Sequence, residues 1–586
     1  MQKDASMKLI NKNTPSVTES VTGKGNRIEF TVKGNNSTAS FTVTVADSAG
    51  RTKLYSPKSG NFDFVFTDYR KRRVIIDFEG DRPENDGGCD LSDVKTVTYT
   101  LIDDPEGDVY VGDAEIVTKR SYSAEWDKRR KEIAGSYAMT QNEVNPNVHL
   151  VNDIEELKAL REKLHRENGE FDGDFIRAQG DRFVHSDGRP FTPVGANYLG
   201  LNIWEPNIIR YFSPEEIDED FSIMEKLSYT IIRFAFTHYI VPDENDCDRV
   251  SEESLLKIAV YLELARKHHL RVILVGLDGK TPEKFASADT RVNEGYLTMM
   301  ENRFSHAAEY FKDDPTIFAW NIYNELTVGS KTPEMLSLWE ENKAEFPDYQ
   351  LFKVEVGNRL IKRLTDAVRR GSENHMVTCG TLQWSFPMIR PDDEGAFPGV
   401  DPHGFIDYVD FLCPHYYPIY ASHIFYPPVN FHRNLQALRG WVNYCKLGKP
   451  IVLEEFGCPG GGEFWGFDYT QNHQLMFMRA VIDTLAADVA GFVCWPFQDV
   501  PGSTDISMWC GVIDVEKNTK QAGAEFAALV NTADRTKRPE EVYPLDLASC
   551  VHEKSDGFFS GYIHTTLDRY INHLNNREND VRITRN

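Results

Sequence analysis

Residues 317–326 read IFAWNIYNEL, an apolar run that ends abruptly on Asn324-Glu325. A stretch this short and this apolar fits a strand buried on both faces, as in a parallel sheet. Similar runs lie on either side of it, at 191–196, 230–236 and 271–276 upstream and at 376–381, 409–414, 451–455 and 490–495 downstream. Taken with 317–323, their starts are 39, 41, 46, 59, 33, 42 and 39 residues apart. Amphipathic helical patterns such as 255–268 fill the intervals. Eight buried strands alternating with helices predict a parallel (β/α)₈ barrel. A doubly wound sheet would carry a Gly-rich phosphate loop after its first strand, and Gly195-Ala196-Asn197-Tyr198 is not one.

Ahead of the barrel the rhythm is different. Ile28, Phe30 and Val32 alternate with polar residues, as do Phe41, Val43 and Val45, then Phe62, Phe64 and Phe66, then Val74, Ile76 and Phe78, then Val97, Tyr99 and Leu101, then Val109 and Val111. Turn residues separate these runs, and the pattern predicts an antiparallel β-sandwich over 1–120. Its last strand, DVYVGDAEIV at 108–117, resembles the closing strand of jelly-roll carbohydrate-binding modules. A sandwich that only packs against its neighbour is the alternative. A charged helical linker follows over 121–170, with Ile154, Leu157, Leu160 and Leu164 at helical spacing. The barrel occupies 171–531, and 532–586 is a C-terminal extension that packs on its outside.

The chain has 65 Lys and Arg against 90 Asp and Glu, a formal charge of −25 that disfavours nucleic acid as a partner. The densest basic run, Lys71-Arg72-Arg73, opens a strand and reads as a charge guard on a sheet edge. No apolar stretch is long enough for a membrane span. Nine cysteines are an odd number without CxxC pairs, so they read as small core residues of a reducing, cytoplasmic protein. Removal of a leader would leave the same picture and a secreted origin. Nothing in the pattern fixes the oligomeric state.

In a barrel of this kind chemistry gathers at the carboxyl ends of the strands, where the βα loops converge. Strand four ends on Asn324-Glu325, and strand seven, PIVLEEFG at 450–457, on Glu454-Glu455. Two carboxylates facing each other across the barrel mouth are what glycoside hydrolysis requires, one to protonate the leaving oxygen and one to attack or to activate water. The bland alternatives are that Glu325 starts a helix, where its charge suits the dipole, and that Glu454-Glu455 is a solvated turn.

With these residues in view, the segment from about 175 to 531 resembles clan A glycoside hydrolases, particularly family 5. The Asn-Glu after a strand carrying Trp320 is similar to the family's acid/base signature, and Glu455-Phe456-Gly457 to its nucleophile signature. The opening FIRAQGDRFVHSDGRPFTPVGANYLG at 175–200 is similar to the family's hairpin entrance. The resemblance implies Arg233 as the arginine that bonds the nucleophile and keeps it ionised, and Asn324 as the partner of the sugar 2-hydroxyl. It also implies His415 and Tyr417 as the strand-six His-x-Tyr, and Trp495 as the stacking floor of the sugar subsite. Each has a structural alternative, an internal ion pair for Arg233 and a core histidine for His415. Trp384, after strand five, is a second sugar platform or a core aromatic. Successive strand residues point to opposite sides, so one of Glu454 and Glu455 faces the pocket, and the resemblance, which places the nucleophile immediately before Phe/Tyr-Gly, implies Glu455.

The resemblance implies double displacement. Glu455 attacks the anomeric carbon while a protonated Glu325 assists departure of the aglycone, then acts as base on water, with the carboxyl groups about 5–5.5 Å apart against about 6.5–9.5 Å in an inverting pair. It implies no organic cofactor, and no metal is expected. The substrate is a β-linked gluco- or manno-configured oligosaccharide or polysaccharide. The Gly-rich aromatic segment CPGGGEFWGFDY at 458–469 and Trp204 after strand one either wall off one end of the groove or line an open cleft with aromatic platforms, and the resemblance of GFVCWPFQD at 491–499 with Lys517 or Lys520 to exo-acting family 2 enzymes favours exo cleavage. Endo-β-1,4-glucanase or endo-β-mannanase activity is the alternative. Transglycosylation and a non-catalytic carbohydrate-binding barrel complete the set.

Overall fold

Eight short parallel strands form a closed ring. They are β1 (Val194–Tyr198), β2 (Ile231–Phe234), β3 (Arg271–Val275), β4 (Ile317–Asn321), β5 (Met376–Thr378, continued by Gly380–Thr381), β6 (Cys413–Tyr416), β7 (Val452–Leu453, continued by Glu455–Phe456) and β8 (Gly491–Cys494). Each pairs in parallel with the next, and β8 returns to β1 through Val194 opposite Phe492. This computed structural model describes residues 7–35, 40–56, 71–81, 83–102, 108–118, 148–169, 174–200, 208–234, 243, 245–276, 283–285, 287–328, 331–389, 399–417, 431–464, 467–500, 503, 507–547, 550, 553–554, 562–563, 565–574 and 580–585. The expected strand through Phe62, Phe64 and Phe66 lies outside these, as do Trp204 and most of the linker.

The apolar runs seen in the sequence form the barrel strands, with one shift. Phe191, expected in strand one, instead pairs with Phe183 in a three-stranded sheet of Arg177–Gln179, Arg182–Val184 and Pro190–Phe191. Pro193 has no N–H to give a ladder, so the barrel strand starts after it. The hairpin closes the amino end of the barrel: Phe183 is fully buried, with its ring 4.9 Å from Phe318 and 5.2 Å from Phe411. Ile231, Ile273, Met376, Val452 and Val493 complete this lower core. With that end plugged by aromatic rings, polar side chains are confined to the upper half of the barrel.

The sandwich consists of two antiparallel sheets. One contains Lys8–Ile10, Val109–Val117, Arg27–Gly34 and Arg72–Asp77, and the other contains Ser16–Ser20, Val94–Leu101, Phe41–Asp47, Thr52–Tyr55 and Asn85–Asp86. Phe30, Phe41 and Tyr99 meet between them, Phe30 and Tyr99 at 5.0 Å. The charge-guard reading of the basic run is corrected at Arg72. That side chain is buried and donates to Thr484 Oγ1 on the helix Gln471–Leu485 at 3.1 Å, because the sheet edge is covered by the barrel. Asn472 on the same helix donates to Ile75 O and to Asp81 Oδ2, and Arg27 reaches Glu525.

The helix Ile154–Asn168 docks on Glu252–Lys267, with Leu157 and Leu164 buried and Asn168 bonded to Glu263. Near the C-terminus, Glu540–Leu545 pairs with Asp580–Arg585, and Tyr570 is buried against Asn443 of the barrel helix Phe431–Tyr444. All nine cysteines are free, and eight are buried. Among the described residues no helix is long and apolar enough to cross a membrane.

Candidate active site

The carboxyl ends of β1, β2, β4, β6 and β7 deliver one polar cluster. Asn197 on β1 lies in register with Arg233 on β2, and Arg233 Nη1 donates to Asn197 Oδ1 at 2.6 Å. The same Nη1 donates to Glu455 Oε1 at 2.6 Å, and Nη2 donates to Asn324 Oδ1 at 2.6 Å. A fully buried guanidinium thus ties the ends of three other strands together. Tyr417 O–H donates to the second oxygen of Glu455 at 2.7 Å. Both carboxylate oxygens of Glu455 are therefore oriented by fixed donors.

His415 stands between the two halves of the site. Its Nδ1 is 2.9 Å from Glu325 Oε1 and 3.6 Å from Glu455 Oε1, and its Nε2 is 3.4 Å from Glu454 Oε2. Burial works against a charge on the ring, but the Glu455 charge and the bonds to Glu325 and Glu454 overcome it, pushing its pKa up to about 9. Glu325 is partly open and begins no helix, since the next one starts at Pro333. One oxygen of Glu325 and one of Glu455 lie within 4.8 Å of each other. Glu325, His415 and Glu455 are also a donor set of the kind a metal ion uses, and a metal there would have to displace the proton that the neighbouring carboxylates favour on His415.

Burial, the largest influence, raises Glu455 above the ordinary carboxylate range, and the opposing charges of His415 and Arg233 and the Tyr417 bond partly offset it. One expectation needs correction: the alternation that set Glu454 aside fails locally. The β7 ladder breaks at Glu454, with Val452–Leu453 paired to β8 and Glu455–Phe456 paired to β6. Both successive carboxylates reach Arg233, Glu454 through an ion pair to Nε at 3.3 Å.

Trp495, 6% exposed, is held at the end of β8 by its Nε1 bond to Ser507 Oγ at 2.8 Å. Trp384 follows β5 and is half-buried. Its neighbour Gln383 accepts the backbone N–H of Tyr417 at 2.8 Å and so fixes the start of the segment after β6. Asn197, Asn321 and Gln383 are site residues that the sequence reading missed, and Glu454 is one that it weighed and set aside. Asn197 and Asn321 had a usable signal, an amide at the inner end of an otherwise apolar strand. The role of Gln383 depends on a contact 34 residues away.

Residues 184–499 match the family model Cellulase (glycosyl hydrolase family 5). The chain belongs to glycosyl hydrolase family 5. It is accordingly a glycosidase. Among solved structures, a GH5_18 protein from Streptomyces cattleya in complex with GlcNAc matches with a TM-score of 0.52 and 16% identity, over 67% of this chain and 93% of that one. A variant of it in complex with Manβ1-4GlcNAc matches at 0.51 and 15%, over 67% and 94%. A β-galactosidase from the psychrophilic Marinomonas ef1 matches at 0.51 and 13%, over 67% and 70%. At these identities the likeness is one of fold. No curated protein matches the sequence.

Proposed function

We propose that this family 5 glycosidase hydrolyses β-linked gluco- or manno-configured oligosaccharides with retention of configuration. Glu455 is the nucleophile and Glu325 the acid/base in this reading. The observation that carries it is the approach of their carboxylate oxygens to within 4.8 Å. That approach fits the about 5–5.5 Å spacing of a retaining pair better than the about 6.5–9.5 Å of an inverting pair.

In the first step Glu325 passes its proton to the glycosidic oxygen as the C1–O bond breaks and Glu455 bonds to C1. In the second, Glu325 takes a proton from water, whose oxygen displaces Glu455. Arg233 and Tyr417 hold the Glu455 oxygens in line for attack. Asn324, steered by Arg233, is the candidate partner of the sugar 2-hydroxyl, and Trp495 and Trp384 are candidate stacking surfaces. Exo action is the preferred mode, and it rests on the 491–499 segment of the sequence. The units at 1–120, 121–170, 171–531 and 532–586 belong to the same proposal.

The disaccharide bound in the Streptomyces cattleya variant makes aryl β-mannosides the first substrates to try, beside β-glucosides and β-linked polysaccharides. Proton NMR of the first-formed product is the test. A β-anomer released from an aryl β-glycoside is expected, and an α-anomer would sink the retaining mechanism. Release of only larger oligosaccharides from polysaccharide would replace exo with endo action.

A further inference from the structure

We infer that Glu454, the buried carboxylate beneath the proposed nucleophile, is a positioning residue that acts on the acid/base Glu325 through His415. The inference rests on the assignment of Glu325 given above.

Glu454 has no exposed surface, and its Oε2 takes three partners. Asn321 Nδ2 donates to it at 2.6 Å, Arg233 Nε forms an ion pair with it at 3.3 Å, and His415 Nε2 lies at 3.4 Å. It can occupy this place because the β7 ladder lapses at its own position, which turns two successive carboxylates into the barrel. A buried carboxylate is costly unless it is paired. Here Arg233 and Asn321 fix Glu454, and the oxygen they hold faces the far nitrogen of His415.

The consequence lies at the other end of the ring. A carboxylate accepts only, so Nε2 must carry a proton towards Glu454, and the ring then presents Nδ1 to Glu325 Oε1 at 2.9 Å. An imidazole held in this way by a carboxylate on its far nitrogen keeps one ring orientation. The titratable and charged groups around His415 are Glu325 from β4, Glu454 and Glu455 from β7 and, bonded to Glu455, Arg233 from β2 and Tyr417 from its own segment. Three of the five are acidic carboxylates, and Glu454 is the one that no substrate can reach. Space on the β5 side is closed as well, since a Cβ at Gly380 would lie 2.9 Å from His415 Nε2. His415 thus has little freedom other than the contact with Glu325, and Glu454 fixes its direction and adds to the Glu455 and Glu325 influences that favour its charged form.

The test is Glu454→Gln in the full chain, which keeps the shape and removes the charge. Two aryl β-glycosides are compared by kcat/KM, one with a poor leaving group that needs protonation and one with a dinitrophenolate that departs without it. The expected loss is on the order of 10–100-fold on the first substrate, part of the roughly 10²–10⁴ that a general acid supplies, and small on the second. The alkaline limb of the pH profile should move down by about one unit, as expected when one opposing charge is removed. His415→Gln should show the same leaving-group pattern, and adding Glu454→Gln to it should cost little more.

Equal losses on the two substrates, an unmoved alkaline limb, or additive losses in the double variant would overturn the inference. If Glu454→Gln does not fold, Glu454→Asp takes its place. It draws the charge back by one methylene and must give the same pattern more weakly. Glu325→Ala separates the two readings: if it loses both substrates equally, the fault lies in the assignment of Glu325 and not in Glu454.

Discussion

At the scale of single residues, the site sets a phenol and an imidazole against buried carboxylates, and each leaves a signature in pH. Tyr417 donates to Glu455 Oε2, and that bond pulls down a pKa which burial has raised. Tyr417→Phe removes the donor, so the Glu455 pKa rises and the acidic limb of kcat/KM moves to higher pH. A hydrogen bond to a charged group contributes about 1.5–3 kcal/mol, which corresponds to a shift of about one to two units. A pH–rate series on one aryl glycoside checks this, and an acidic limb that moved down would contradict it. His415 makes a second prediction. Its folded pKa, about 9, lies above the roughly 6.5 of an unfolded chain. A group raised in this way contributes stability that is full below about pH 6.5 and is lost as pH rises through 9. Urea midpoints of the wild type should therefore fall between pH 6 and pH 9, and His415→Gln should flatten that part of the curve.

At the scale of elements, the strand ends set the distances. Gly380 at the end of β5 allows the backbone after β4 to pass close by: a Cβ there would lie 1.8 Å from Asn324 O. Gly380→Ala must push the Asn324-Glu325 segment away from β5. A displacement of about 1 Å in a catalytic group can cost 10²-fold, so kcat/KM should fall by about that much while the far-ultraviolet circular dichroism stays the same. The strands themselves were legible because burial on both faces demands continuous apolar runs, and spacing alone predicted eight of them. Glu325 and Glu455 were legible as a pair, because carboxylates end both strand four and strand seven, and Glu455 stands immediately before Phe456-Gly457. Glu454 was not, because the reading assumed that a strand alternates, and the lapse in the β7 ladder comes from its two neighbours, not from its own residues. Gln383 was not for a similar reason: an ordinary amide in a loop becomes informative only when Tyr417 is brought to it.

At the scale of the whole molecule, the sandwich is fastened to the barrel by buried polar contacts. Its strands were visible as alternation, but their attachment was not, since Arg72 reads as a surface charge until a helix from the far end of the chain covers it. The face carrying Arg27 and Ile75 is buried against the barrel, which leaves it unavailable to a carbohydrate ligand. Asp81 is the most constrained group at this junction. It is buried beside Asp77, and burial first, then the neighbouring Asp77 charge, raises its pKa well above the ordinary carboxylate range. Asn472 Nδ2, at 2.7 Å, is the side-chain donor that compensates it, with Thr470 Oγ1 more distant at 3.5 Å. Asn472→Ala leaves Asp81 Oδ2 with only the backbone N–H of Asp77. The cost of an underpaired buried acceptor is about 1–3 kcal/mol. Because the raised Asp81 pKa favours the protonated form in the folded state, its contribution is present at low pH and lost as pH rises. The Asn472→Ala deficit should therefore be small near pH 4 and grow towards pH 8. Thermal denaturation of the wild type and the variant at both values measures it, and a deficit that shrank with rising pH would show that Asp81 is not the group Asn472 serves.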